Sequence, residues 1–281
     1  MLFKYPGSKL KCLDMLMAAA PPQYGEFRSA FCGNEPLLWV LPTDLPRWIN
    51  DLDEMVYLTL LAMRDDPQFI RRFQRLRKRG LASLAESKQV FDECIERVLQ
   101  SKDAAAYLYI RRLAVKQMAG FHKPCFASYS YVFGHNNSAL NAVTAERMRE
   151  ARRILQAVKI TNHDYSEVLR SPVKHGSCWL YLDPPYYSAY HNSSQIYQHE
   201  FTLRQRSEMK KEVLRLDAET CKVMISVEES EYSHPEYALD PRFHTLYRGH
   251  TSQMNKDSEG KGMPARELLV RNYGRVDQPQ L

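Results

Sequence analysis

The sequence lacks the features that mark secreted, membrane-spanning and zinc-binding chains. Its six cysteines form no C-x-x-C pair and no cysteine–histidine group with zinc-ligand spacing. No run of eighteen apolar residues occurs, and the first residues contain no apolar signal core. Internal repeats and low-complexity tracts are also absent. We therefore expect a cytoplasmic protein with reduced thiols, no metal and no membrane partner.

The composition is that of a globular protein with a full hydrophobic core. The 281 residues are 44% hydrophobic and 26% charged, and they suit one catalytic domain with an insertion, or one large and one small domain. The formal net charge of +6 is compatible with a nucleic-acid partner, because Lys and Arg neutralise phosphates. Many enzymes of small molecules are equally basic, so charge favours this partner only slightly.

The first 56 residues have the pattern of a nucleotide-binding α/β sheet. A strand is predicted over residues 26–31, a break at Gly33, a short helix over about 35–40, and a buried strand over 47–51. From about 57 to 142 the pattern changes to helices and loops, which predicts an inserted domain. This region holds a basic run at 71–79 and a predicted helix over 103–118, with Tyr107, Ile110, Ala114 and Met118 on one face.

The sheet pattern returns after residue 143. Thr144 is expected to cap a helix with Met148, Ala151, Leu155 and Val158 on its inner face. Thr202 and Gln205 have the spacing of a capping box that opens another helix. Strands are predicted over 159–162, 178–182, 221–227, 243–248 and 267–272, and the apolar run 178–182 is typical of a strand buried in a parallel sheet.

The motif Asp183-Pro184-Pro185-Tyr186 directly follows that buried strand, where α/β sheets bind their ligands. The two prolines have no backbone N–H, so the turn presents carbonyl acceptors beside the Asp183 carboxylate. Two acceptors that hold the N–H bonds of an exocyclic amino group localise the nitrogen lone pair, and an aromatic ring can stack on a base that has left the duplex. In-line positioning against a sulfonium methyl completes the chemistry. The alternative is an ordinary Pro-Pro turn.

With this motif the chain resembles the Dam-type, D12-class family of DNA adenine-N6 methyltransferases, over most of its length outside the insert. The resemblance implies an α/β fold of the class I S-adenosylmethionine-dependent methyltransferase type, with a Rossmann-like sheet. Residues 1–56 and 143–281 would form the discontinuous catalytic domain, and 57–142 the helical target-recognition domain.

The resemblance also implies methyl transfer from S-adenosylmethionine to adenine N6 in double-stranded DNA, with base flipping. The segments 224–226, 249–252 and 265–273 resemble the later strands of the family. The catalytic residues would be Asp183, Pro184, Pro185 and Tyr186.

The resemblance also implies residues for the cofactor. Residues 3–9 resemble the N-terminal cofactor motif, so Tyr5 and Lys9 would contact S-adenosylmethionine. Residues 50–53 resemble the motif after the second strand, so Asp51 would bind the ribose hydroxyls, which a strand-end carboxylate also favours. Phe31, Gly33, Glu35 and Asp183 complete the expected set.

The glycine-rich motif departs from the family pattern, which reads acid-Pro-Phe-x-Gly-x-Gly. Here residues 29–36 read Ser-Ala-Phe-Cys-Gly-Asn-Glu-Pro, without the acid and the last glycine. Our hypothesis is that Glu35 replaces the missing acid, at the start of a helix with Asn34 as N-cap and Pro36 in the first turn. The alternative is that Glu35 faces solvent and the cofactor site is weakened.

Candidate DNA contacts lie in the insert. Arg71 and Arg75 belong to the basic run, which is equally typical of a solvated helix face. Tyr129, Tyr131 and Phe133 lie in a segment, 129–134, that resembles a hairpin of the family's target-recognition region; they could instead pack the insert.

Other functions remain as alternatives. Methylation of cytosine N4 or of a protein glutamine is one, although the acid at position 183 argues against it. A catalytically silent DNA-binding protein that keeps the fold is another, supported by the altered glycine motif. We expect a monomer or weak dimer from a bacterial cell or a phage, and the DNA target sequence stays open.

Overall fold

A computed structural model describes residues 8–114, 120–121, 129–130, 133–134, 136–185, 201–228, 243–256 and 262–274. In this part of the chain the helices are α1 (Leu13–Ala18), α2 (Glu54–Asp65), α3 (Phe69–Gly80), α4 (Leu84–Ser101), α5 (Ala104–Leu113), α6 (Asn137–Asn141), α7 (Ala145–Leu155), α8 (Tyr165–Arg170) and α9 (Leu203–Arg215). The strands are β1 (Glu26–Ser29), β2 (Arg47–Asn50), β3 (Gly120–Phe121), β4 (Tyr129–Ser130), β5 (Val158–Thr161), β6 (Cys178–Leu182), β7 (Cys221–Glu228), β8 (His244–Lys256) and β9 (Gly262–Arg271).

Seven of these strands form one sheet in the order β5-β2-β1-β6-β7-β9-β8. The strands from β5 to β7 run parallel, and β9 and β8 join as antiparallel neighbours. The strand order reverses between β1 and β6, where open α/β sheets bind their ligands. Ser29 at the end of β1 is in register with Ile49 of β2 and Tyr181 of β6, so the three strands end at the same edge.

β6 shows why a continuous apolar run is required at the centre of this sheet. Every residue of β6 is buried, and successive side chains point to opposite faces. Leu180 packs in the cluster beneath α8 and α9, whereas Trp179 and Tyr181 pack in the cluster beneath α1. Helices therefore cover both faces, and the predicted strand 178–182 is confirmed.

The structure of the helical region differs from three expectations. α5 ends at Leu113 instead of reaching residue 118, because Ala114 takes an extended conformation and forms a bridge with Phe133. All ten residues of α5 are buried, not one face, because α2, α3, α4 and α6 pack around it. The region also contains strand structure: β3 and β4 form a short antiparallel pair. Met118 lies outside the described residues.

The helices α7 and α9 start at their predicted caps. Thr144 accepts a hydrogen bond from the Arg147 N–H, and Met148, Ala151 and Leu155 are buried. Val158 is not on this helix as predicted, because α7 ends at Leu155 and Val158 is the first residue of β5. Thr202 and Gln205 form both bonds of the capping box that opens α9. No helix among the described residues is long and apolar enough to cross a membrane.

Candidate active site at the carboxyl edge of the sheet

Asp183 follows the last residue of β6 and forms an ion pair with Lys9. Lys9 Nζ donates to Asp183 Oδ1 at 2.6 Å, and the Lys9 side chain is only 4% exposed against 20% for Asp183. Lys9 opens a short 3₁₀ helix, Lys9–Cys12, that leads into α1. The lysine expected from its motif to contact the cofactor therefore lies directly against the carboxylate expected to hold the amino group.

Glu35 reaches back to the end of β1. Its Oε2 accepts a hydrogen bond from Ser29 Oγ at 2.7 Å, and its Oε1 accepts from the Leu37 N–H at 3.0 Å. The Glu35 side chain is 3% exposed, so the alternative that it faces solvent is wrong. A carboxyl group thus lies beside position 29, where the family pattern has its acid.

The turn after Glu35 is built differently from the prediction. The predicted helix over 35–40 is a short 3₁₀ helix, Leu37–Trp39, with Pro36 at its N-cap position. Asn34 is therefore not the cap. Its expected function is taken by the Glu35 carboxylate, which accepts the first free N–H of the turn.

The environment of Glu35 disfavours its charged form. Burial raises its pKa from the ordinary value of 4.5 to about 8, and the nearby Asp183 acts in the same direction. The hydrogen bond from Ser29 and the charge of Lys9 act in the opposite direction but do not compensate. A cation bound next to Glu35 would stabilise the carboxylate.

Asp51 follows β2 and organises the turn after β1. Its Oδ2 accepts from the Gly33 N–H at 2.5 Å, and its Oδ1 accepts from the Asp53 N–H at 2.8 Å. Gly33 has a φ of +46°, which glycine adopts without strain. Burial, followed by the charge of Asp53, raises the pKa of Asp51 to about 7. Gly33 and Asp51, both expected at the cofactor site, are therefore in direct contact.

Asn50 is a site residue that sequence reasoning missed. Its Nδ2 donates to the carbonyls of Ala30 and His163, and its Oδ1 accepts from Thr161 Oγ1. These bonds connect the ends of β1, β2 and β5, so they hold the edge that carries Asp51. A buried amide at a strand end, next to a candidate carboxylate, was the available signal.

Phe31, expected at the cofactor site, belongs to a cluster of three aromatic rings after β1. Its ring stacks on Tyr165 of α8 at 5.3 Å between centroids and meets Phe201 edge-on at 5.4 Å. Tyr165 and Phe201 meet edge-on at 5.5 Å. Sequence reasoning identified Phe31 but neither of its partners, because they come from other parts of the chain.

The remaining candidates lie elsewhere or outside the described residues. Tyr5, Tyr131 and Tyr186 lie outside them, and Tyr129 is described only through its backbone in β4. Phe133 packs edge-on against Phe91 of α4 at 5.3 Å. Arg71 and Arg75 are exposed on α3. Within the described residues no three His, Cys, Asp or Glu side chains group as metal ligands would.

The strand order, with the antiparallel strand β9 between β7 and β8, which run in the same direction as the other strands, is that of the class I methyltransferases. The acid-Pro-Pro turn lies at the edge where such sheets bind their ligands. The model of the D12 class N6 adenine-specific DNA methyltransferases matches residues 5–254, and the chain belongs to this family. It is therefore an adenine-specific DNA methyltransferase, as predicted, and its substrate is DNA. A search of curated proteins found no match.

Proposed function

We propose that the methyl donor is S-adenosylmethionine, bound at the ends of β1 and β2, and that the target adenine leaves the duplex to reach Asp183. The observation that carries this proposal is the convergence of Asp51, Glu35 and Asp183 at the ends of three adjacent strands. Adenine methylation needs two neighbouring positions, one for the donor and one for the base, and this edge offers acidic groups for both.

The residues present fit this donor. S-adenosylmethionine has a positively charged ammonium and sulfonium, and when bound it supplies an electrophilic methyl group. Glu35 is a buried carboxyl whose ionised form lacks sufficient positive charge nearby, so a cationic ligand would stabilise it. Asp51 is a partly exposed strand-end carboxylate of the kind that binds a ribose diol. Phe31 offers a ring face, and we expect Tyr5 and Gly33 to complete the pocket.

The base would be held by the turn after β6. Asp183 and the Pro184 carbonyl would accept the two N6 hydrogens, which localises the nitrogen lone pair without a strong base. Tyr186 would stack on the flipped adenine, and Pro185 keeps the turn rigid. Lys9 donates a hydrogen bond to Asp183, and its charge lowers the pKa of Glu35. We therefore infer that Lys9 lies between the base and the donor.

The proposal is tested by calorimetric titration with S-adenosylmethionine, followed by transfer of a labelled methyl group to unmethylated DNA. Asp51→Asn should weaken donor binding by about 1–3 kcal/mol, the range for a hydrogen bond to a charged group. Asp164→Asn is the matched control, because Asn also caps α8. Absence of donor binding by the wild type would refute the proposed donor.

We further propose that residues 57–142 form the target-recognition domain and that α3 contacts the phosphates. Arg71 and Arg75 lie one turn apart and are exposed, whereas Arg72 pairs with Asp66 at 2.6 Å. We expect Tyr129 and Tyr131 to contact the bases, whereas Phe133 packs against Phe91 of α4.

The α3 contact predicts a change in salt dependence. Replacing Arg71 and Arg75 by Gln should lower the slope of log K against log salt concentration by about one per residue, because each phosphate contact releases counterions. Arg72→Gln removes the same charge from the same helix and should leave the slope nearly unchanged. Equal slopes for all variants would assign Arg71 and Arg75 to a solvated face.

A further inference from the structure

The guanidinium of Arg206 connects the catalytic turn to the start of α9. One terminal nitrogen of Arg206 donates to the Pro185 carbonyl, and its Nε donates to the Phe201 carbonyl at 3.3 Å. In the sequence, Pro185 immediately precedes and Phe201 immediately follows the fifteen residues 186–200. The Arg206 side chain therefore bonds both of the residues that flank this segment.

The catalytic turn has particular need of such a donor. Pro184 and Pro185 have no backbone N–H, so this part of the turn cannot be held through backbone donors and must be held through its carbonyls. On one side Lys9 holds the Asp183 carboxylate. On the other side Arg206 holds the Pro185 carbonyl, two residues further along the chain.

Arg206 is itself rigidly placed. It lies in the first turn of α9, whose start is fixed by the capping box of Thr202 and Gln205, and the Gln205 carbonyl accepts a bond from Tyr165 OH at 3.0 Å. Its second acceptor belongs to Phe201, which is 6% exposed and packs on the rings of Phe31 and Tyr165. Arg206 is only 2% exposed, and burial of a guanidinium is unfavourable unless its donors find acceptors.

We propose that Arg206 is a positioning residue for methyl transfer, because it fixes the Pro185 carbonyl relative to Phe201 and so keeps Asp183 and Pro184 aligned with the amino group. The inference rests on the proposed function of that turn. A displacement of about 1 Å at a reacting centre can lower a rate by about 100-fold. Loss of Arg206 should therefore act on the chemical step more than on donor binding.

The test compares Arg206→Met and Arg206→Lys with a matched control, Arg28→Met. Arg28 is also buried and donates to backbone carbonyls, those of Ser171 and Pro172, but at the opposite edge of the sheet. Single-turnover methyl transfer at saturating donor, the donor Kd from calorimetry and the folded fraction from thermal unfolding are measured for each protein.

We expect Arg206→Met to lower the rate per folded molecule by about 10- to 100-fold, with a donor Kd within threefold of wild type. The rate of Arg206→Lys should lie between those of the wild type and Arg206→Met, because an ammonium lacks the planar fork that joins two carbonyls. Arg28→Met should keep the wild-type rate per folded molecule.

Three results would overturn the inference: an Arg206→Met rate within threefold of wild type, an equal loss in Arg28→Met, or a wild-type rate in Arg206→Lys if the Met variant does not fold. A failure of the proposed function is recognised separately, since the wild type itself would then bind no donor or transfer no methyl group, and both proposals would fall together.

Discussion

Buried charged groups have different surroundings at the two edges of the parallel sheet, where the strands begin (the amino edge) and where they end (the carboxyl edge). At the amino edge, buried Glu26 forms an ion pair with buried Arg28, which also donates to the Ser171 and Pro172 carbonyls at 2.7 Å each. At the carboxyl edge, burial raises the pKa of Glu35 to about 8 and that of Asp51 to about 7. Burial at this edge thus disfavours the charged form of both carboxyl groups.

This difference distinguishes charged groups that stabilise the fold from charged groups that are available to a ligand. Glu26 and Arg28 form an ion pair within the folded chain, and Arg28 uses further donors on backbone carbonyls. A bound cation would stabilise the charged form of Glu35, and a ribose diol would donate to Asp51. Perturbed pKa values gather at functional sites because such sites are shaped for a ligand or a reaction. Paired substitutions at the two edges test this contrast directly.

The largest contrast is expected between Asp183→Ala and Glu26→Ala. Loss of Asp183 should lower the methyl-transfer rate by about 10²–10³-fold, the effect of removing one transition-state hydrogen bond, while DNA binding survives. Glu26→Ala should lower the melting temperature but not the rate per folded molecule, because it leaves Arg28 without its partner far from the site. Single-turnover assays and DNA titrations measure both. An Asp183→Ala enzyme with more than a tenth of the wild-type rate would remove Asp183 from its assigned role.

A second contrast concerns rings instead of charges. Tyr186→Ala should lower the rate by roughly 5- to 150-fold, since base stacking on an aromatic ring contributes about 1–3 kcal/mol. Tyr186→Phe and Tyr186→Trp should be tolerated far better, because the ring face does the stacking. At the amino edge, Tyr24 precedes β1 and meets Trp179 edge-on, and Tyr24→Phe should leave the rate unchanged. Equal damage from Phe and Ala at position 186 would instead implicate the hydroxyl.

The third contrast compares Glu35→Gln with Glu26→Gln. Each keeps the size of the side chain and removes the charge. Glu35→Gln should weaken S-adenosylmethionine binding by about 1–3 kcal/mol and leave DNA affinity unchanged. Glu26→Gln should alter neither. An unchanged donor Kd in the Glu35 variant, measured by calorimetry, would reject the idea that Glu35 replaces the missing acid.

The smallest expected effect is a pH dependence of stability. Because the pKa of Glu35 rises from 4.5 to about 8 on folding, the folded state holds more protons than the unfolded state between these values. The free energy of unfolding contributed by this group therefore falls as pH rises from about 4.5 to about 8. The ligand-free protein should melt a few degrees lower at the upper end of this window, and Glu35→Gln should reduce that slope. Parallel melting curves for both proteins across the window would contradict the prediction.

Local patterns predicted some elements well and others poorly. The caps at Thr144 and Thr202 were predictable because a cap depends on residues three positions apart. The end of α5 was not, because residues 103–118 have a helical pattern and the chain leaves the helix at Ala114 to pair with Phe133. Nor does periodicity reveal that a helix is surrounded on every side.

The class of the site follows from a local pattern alone: a buried run, 178–182, followed at once by an acid and two prolines. Tertiary structure decided the partners of that site, because strand order and side-chain direction bring together groups far apart in the chain. Lys9 and Asp183 are 174 positions apart, and Arg206 of α9 donates to the Pro185 carbonyl in the turn after β6. Even Ser29 and Glu35, which are six positions apart, form their hydrogen bond across the turn at Gly33, whose N–H donates to Asp51. No local pattern encodes such meetings, since each depends on how the whole sheet is assembled.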